Sequence, residues 1–360
     1  MIPITKPTLV IDEARCRENI AFMAQKARDR GVDFRPHFKT HQSLAVGRWF
    51  KHVGVDKIAV SSLEMAQYFS EEWSDITVAF PVNVLERDLI NALAKRIRLN
   101  LLVESLETVD HLKKDLRHPV GVFIKIDVGY GRTGLTPGDR EGMEHLMEAL
   151  ASGEAMTFRG FLSHAGHAYA CRGAREVVAV HEEARRALGE LKEAYRPIHS
   201  DIIASLGDTP SCVLAENFEG IDEIRPGNFV FYDLMQVQIG TVPVDRIAMA
   251  VACPVVAVHE DRGELVIYGG GVHLSKEFLE EDGRRVYGRI ARPEGDGWGP
   301  ALEGAYVRSL SQEHGVVVAP RDFLSRCHVG DLVMVLPVHA CMAASALRCY
   351  VNNNEILEKF

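Results

Sequence analysis

The sequence lacks paired cysteines: its seven (Cys16, Cys171, Cys212, Cys253, Cys327, Cys341 and Cys349) form an odd, scattered set with no C-x-x-C. That excludes a secreted disulfide framework and fits reduced thiols in a cytoplasmic compartment. Positive charge is short as well. With 41 Lys and Arg against 50 Asp and Glu the formal charge is -9. Neither nucleic acid nor an anionic membrane surface is therefore an expected partner, since both need a basic face. No uninterrupted apolar run approaches the roughly 18 residues of a membrane span. The start, Met1-Ile2-Pro3-Ile4-Thr5-Lys6, lacks the charged and apolar regions of a signal peptide.

What is present is an ordinary globular composition, 47% hydrophobic and 25% charged over 360 residues, enough for two domains or for one large barrel with an addition. Residues 8–11 read as a strand stopped by Asp12. Cys16, Ile20, Met23, Ala24 and Ala27 then fall at helical spacing before Gly31. From there apolar runs at 33–38, 57–60, 76–80, 99–103, 120–126, 158–162, 201–204 and 223–224 alternate with helical periodicity, and Ser61-Ser62-Leu63-Glu64 reads as a capping box. About eight such units predict an α/β protein, a (β/α)8 TIM-type barrel. After Gly240 the runs at 247–258, 264–268, 316–319 and 332–336 look like strands separated by turns. The expected division is a barrel over 13–240 and a mostly β C-terminal domain over 241–360, joined by the N-terminal strand segment 1–12.

Phe34-Arg35-Pro36-His37-Phe38-Lys39-Thr40-His41 ends a short apolar run in ionisable residues. Strand alternation would turn His37, Lys39 and His41 to one face. A lysine desolvated there, or held near other cations, becomes a usable amine nucleophile and base; a lysine snorkelling from the rim is the plainer alternative. Barrels of this type bind phosphate in the loops after strands seven and eight. There Gly207 and Thr209, then Gly227 and Asn228, supply small residues, a hydroxyl and backbone N–H groups. Gly129-Tyr130-Gly131-Arg132-Thr133-Gly134 matches G-x-G-x-x-G, but in the fifth unit and with bulky Tyr130 and Arg132 where a pyrophosphate must approach. Arg132 is better read, with Asp127, as a fixed cation facing the pocket. Tyr169, in the 163–169 rim, is placed against a flat cofactor. His339 and Cys341, two apart on an extended backbone, suit a transition metal, zinc above all. A buried free cysteine beside a structural histidine is the other reading.

Together, the lysine segment with its histidines, the 163–169 rim, Gly207-Asp208-Thr209-Pro210, residues 226–233, Glu313-His314-Gly315 and Pro337-Val338-His339-Ala340-Cys341 resemble the D-serine dehydratase and D-threonine aldolase family. That family has the alanine-racemase-like fold of pyridoxal-phosphate enzymes, and the likeness runs from about Thr8 to Cys341. It implies a homodimer, Lys39 as the Schiff-base lysine, and zinc or another divalent metal held by His339 and Cys341. Cofactor contacts are expected from His37, Arg132, Tyr169, Gly207, Thr209, Gly227 and Asn228. The expected activity is β-elimination from a small D-3-hydroxy amino acid. Retro-aldol cleavage to glycine and an aldehyde is the close alternative. Aldolase members of the family tend to carry Asp where Cys341 stands, which favours elimination. A racemase, without metal dependence and with a tyrosine from the β domain, and a non-catalytic cofactor carrier are the more distant readings.

Overall fold

Alternating apolar runs and amphipathic helices do build a parallel sheet in this protein, whose structure, a computed structural model, describes residues 3–360; residues 1–2 of the expected N-terminal segment lie outside it. The chain divides into two units. The barrel unit holds Ala21–Lys39 and Arg48–Gly227, and the β unit holds the residues up to Ile20, Thr40–Gly47 and Asn228–Phe360.

The first strand, β1 (Thr8–Ile11), lies in the β unit. The barrel unit contains β2 (Asp33–Phe34), β3 (Ile58–Val60), β4 (Asp75–Pro81), β5 (Arg98–Val103), β6 (Val120–Ile126), β7 (Met156–Ser163), β8 (Ile203–Leu206) and β9 (Glu223–Ile224). These run parallel in the order β2-β9-β8-β7-β6-β5-β4-β3. The two edges meet through a parallel bridge between His37 and Ala59. Phe38 N donates to Ala59 O at 2.8 Å and Ala59 N to Pro36 O at 3.0 Å. Strands covered on both faces need apolar residues at successive positions, and Leu101, Leu102 and Val103 of β5 are all buried. The covering helices are amphipathic: in Ala174–Tyr195, Val177, Ala184, Leu188, Leu191 and Tyr195 face inward.

One helix start departs from expectation. Ser62, not Ser61, caps Leu63–Phe69, its Oγ accepting from Met65 N at 3.1 Å. The third helical residue is then Met65, so Glu64 cannot close a capping box.

Inside the barrel, polar groups form a chain. Arg35 donates to Asp75 at 2.7 Å and to Glu223 at 2.6 Å. Glu223 accepts from Ser205 at 2.6 Å, and Arg225 donates to Ser205 Oγ and to Ser163 O. Every buried charge in this chain thereby has hydrogen-bonding partners.

The β unit continues with β10 (Met249–His259), β11 (Glu264–Tyr268), β12 (Leu279–Glu281), β13 (Arg284–Val286), β14 (Gly288–Glu294), β15 (Gly297–Leu310), β16 (His314–Val318), β17 (Leu332–Pro337), β18 (Cys349–Asn352) and β19 (Glu355–Glu358). Nine strands form one sheet in the order β11-β16-β15-β14-β17-β10-β1-β18-β19, while β12 and β13 pair separately. The strand β1 joins β10 antiparallel, from Thr8 opposite Ala252 to Ile11 opposite Met249. The sequence did not announce β12 to β15, β18 or β19; β12, β13 and β19 are short and rich in charge, and β18 has only four residues.

Candidate active site

In the barrel unit, β2 stops at Phe34, His37 makes the closing bridge, and residues 38–41 form a turn. The expected strand face shared by His37, Lys39 and His41 therefore does not exist. Phe38 buries its ring against Phe50, Phe69 and Trp73, with centroids 4.9, 5.0 and 5.1 Å away. Lys39 follows this anchor and is exposed, not deeply set. Its backbone N donates to His37 Nδ1 at 3.4 Å. His41, in the β unit, is fully buried, and burial pulls its imidazole down to about 3 against a weaker opposing bond from Ser43 N.

The loops after β8 and β9 pack backbone against backbone. A Cβ on Gly207 would meet Arg225 N at 2.7 Å, so only glycine fits there. Thr209 is buried, and its N–H donates to Tyr169 Oη at 3.3 Å. His164 Nδ1 donates to Gly207 O at 2.6 Å, and burial brings this imidazole down to about 3, so the ring is neutral. Gly207, Thr209 and Tyr169 are thus brought together. Gly227 follows Pro226, whose carbonyl accepts from His37 N at 2.8 Å. Arg132 is exposed and lies 5.0 Å from the Tyr130 ring, a stacking cation at the rim. The G-x-G-x-x-G loop is closed to a pyrophosphate by its own residues. Asp127 accepts from the N–H groups of Gly129, Tyr130 and Gly131 at 2.9–3.1 Å.

Two residues here were not anticipated: Lys125 at the end of β6 and Arg225 just after β9, both buried. Burial first, then the charges of Arg225 and Arg132, push the Lys125 amine down to about 7. Burial likewise lowers Arg225 to about 10. The available signal was a charge embedded in the apolar run V-G-V-F-I-K-I. Buried Lys125 and Arg225 and the Thr209 N–H, which here donates to Tyr169 Oη, are groups that suit the anionic phosphate of pyridoxal phosphate.

In the β unit, β17 ends at Pro337. His339 is the N-cap of the helix Ala340–Ala346, which contains Cys341. The backbone is therefore not extended through Cys341 as expected. The two side chains still meet, because a cap residue and the first turn of its helix are neighbours; the His339 ring hydrogen-bonds Cys341. Burial alone would lower His339. Its bonds to Cys341 and Glu277, with the charges of Cys341 and Asp233, outweigh that and raise it to about 11. Thr40 Oγ1 lies 3.2 Å and Asn228 Nδ2 3.8 Å from Cys341 Sγ. Asn228 Nδ2 also donates to Asp233 Oδ2 at 2.6 Å. Asp233 Oδ2 accepts in addition from Ala340 N at 2.8 Å. No group of three or more His, Cys, Asp or Glu able to hold a metal occurs among the described residues. One imidazole nitrogen and one thiolate nevertheless fit zinc as a donor set that leaves coordination positions open.

Comparison with known proteins bears on both units. The model of the alanine racemase N-terminal domain matches residues 11–234, and that of a putative serine dehydratase domain matches residues 248–352. A D-serine dehydratase of Dictyostelium discoideum is 28% identical over 99% of this chain and 96% of its own length. The solved structure of D-threo-3-hydroxyaspartate dehydratase from Delftia sp. HT23 superposes with a TM-score of 0.90 at 26% identity, covering 100% of this chain and 98% of that one. A Cys-to-Ala mutant of D-threo-3-hydroxyaspartate dehydratase, solved in the metal-free form, gives a TM-score of 0.91 at 26% identity over 100% and 98% of the two chains. With its first family model spanning more than half of the residues, the chain belongs to the family of the alanine racemase N-terminal domain and carries a putative serine dehydratase domain after it.

Proposed function

We propose that the protein is a pyridoxal-phosphate- and divalent-metal-dependent lyase that acts by β-elimination on a small D-3-hydroxy amino acid, releasing an oxo acid and ammonia. The observation that carries this reading is the paired His339 and Cys341 in a chain whose full-length relatives are named D-hydroxy amino acid dehydratases. Pyridoxal phosphate, when bound, supplies an electron sink for the Cα carbon. A divalent metal, when bound, supplies a Lewis acid for the leaving hydroxyl.

The residues divide that work. Lys39 holds the cofactor, and its freed amine takes the Cα proton; an exposed side chain on a turn keeps the freedom that this double duty needs. Gly207, Thr209 and Gly227 take the phosphate, Lys125 and Arg225 offset its charge, and Tyr169 packs on the flat ring. His37 holds the segment before Lys39 in the barrel closure, and Arg132 shields the rim. His339 and Cys341 hold the metal, with zinc favoured by the sulfur donor. Seven free cysteines, and no helix long and apolar enough to cross a membrane among the described residues, support work in the cytoplasm. The state inferred from the family likeness is a homodimer, which sedimentation of the purified protein checks.

The test is to incubate the purified protein with D-serine, D-threonine and 3-hydroxy-D-aspartate in the presence of cofactor and zinc. Oxo acid and ammonia are the expected products. Glycine and an aldehyde would replace elimination by retro-aldol cleavage, and racemised substrate with no metal dependence would remove the lyase reading altogether.

A further inference from the structure

We infer that Glu277 is the positioning residue that orients His339 toward the metal, and that the turn before it is shaped to hold it there. The inference rests on the metal-binding reading of His339 and Cys341. Glu277 Oε2 accepts from His339 Nδ1 at 2.5 Å, across a sequence separation of 62 residues. A neutral imidazole carries one N–H and one lone pair. Committing the N–H at Nδ1 to a carboxylate leaves Nε2 as the donor nitrogen, fixes the ring plane and raises the basicity of the lone pair.

The segment that carries Glu277 is under local backbone strain. Ser275 has φ +67° and ψ 176°, a combination that only glycine adopts freely and that persists where surrounding contacts impose it. Ser275 Oγ accepts from Glu277 N at 3.3 Å, closing a turn on the glutamate. On either side the chain is pinned by buried side chains, Leu274 before the turn and Leu279 after it. Between these anchors Phe278 lies against Tyr287 and under Arg285, and Lys276 lies beside Gly271, so packing fixes the turn on both sides of the glutamate. The turn so held presents Glu277 to His339. Cys341 has separate support from Thr40 and Asn228, so each donor of the pair has its own partner and the roles can be separated by mutation.

The experiment measures the zinc dissociation constant of the full-length protein, without turnover, by competition with a chromophoric chelator. The proteins compared are the wild type, Glu277→Ala, Glu277→Gln, Glu277→Asp and Cys341→Ala. Glu277→Ala should weaken zinc binding about 10- to 100-fold, the usual cost of losing such a partner. Glu277→Asp should recover part of the loss. Nitrogen-15 spectra of the zinc-loaded protein should show His339 protonated at Nδ1 in the wild type and divided between its two ring nitrogens in Glu277→Ala. If Glu277→Ala does not fold, Glu277→Gln, which keeps shape and an acceptor oxygen, carries the comparison with a smaller expected loss. Wild-type affinity in the foldable glutamate variant, with zinc lost from Cys341→Ala, overturns the inference and leaves the metal reading standing. Absence of zinc binding in the wild type overturns both.

Discussion

At the strand ends of the barrel unit the buried charges include two cations, Lys125 and Arg225, beside the carboxylates Glu223 and Asp208. Around His339 in the β unit they are acceptors instead: the buried Asp233, the half-exposed Glu277 and the Cys341 sulfur. The two cations suit an anionic phosphate, and the acceptors a divalent cation. The histidines make the same point. Burial takes His41 and His164 down to about 3, whereas His339, also largely enclosed, rises to about 11. Partners, not burial alone, decide which ring carries charge.

The widest break in this comparison comes from exchanging the amine that does chemistry. Lys39→Ala should lower the rate of oxo-acid release by about 10³-fold or more and remove the visible absorption of the bound cofactor. Borohydride reduction and peptide mapping should label Lys39. Recovery of the label on Lys125, the enclosed amine held near 7, would move the chemistry to the other lysine.

On the acceptor side, Cys341→Ala should cost about 10²-fold or more in rate, since Lewis-acid assistance is worth several kcal/mol. The visible absorption should remain, because the cofactor residues proposed here lie in the barrel unit. An equal loss of cofactor from this variant would dissolve the division into two clusters.

The neutral histidines sharpen the contrast through pH. His41 sits at about 3 in the folded chain against an ordinary 6.5. Its contribution to stability is thus complete above pH 6.5 and falls as pH drops toward 3. Between pH 7 and pH 4 the loss should be about 3 kcal/mol, and His41→Gln should flatten that limb of urea midpoints against pH. Asp208 behaves oppositely. Burial raises it from 3.8 to about 6 despite its bonds from Ser211, so its cost appears as pH rises from 4 through 6. Asp208→Asn, which keeps an N-cap, should stabilise the cofactor-free protein at pH 7 by up to about 3 kcal/mol. A steeper acid limb for His41→Gln, or no gain from Asp208→Asn, would remove burial as the cause.

The smallest effect concerns the cap of the helix Leu63–Phe69. Ser62→Ala should lower stability by about 1 kcal/mol, and Ser61→Ala by much less, as thermal melting would show.

Much of the fold was legible because periodicity is local: alternating apolar runs and helical spacing report which faces of a segment are covered before any partner is known. Among the candidate residues, Lys39 and His339 stood out for a related reason, as ionisable groups at the ends of apolar runs. What the local pattern misjudged was backbone shape at those ends. Residues 38–41 turn because Phe38 finds three rings, and Cys341 opens a helix instead of continuing a strand. Neither event has a signature within a few residues. By itself, then, the sequence determined the succession of strands and helices and the chemistry of the groups placed at their ends. Tertiary structure alone decided that His37 closes the barrel on Ala59 and that Glu277 meets His339. These are hydrogen bonds whose partners are chosen in three dimensions, where spacing along the chain carries no information.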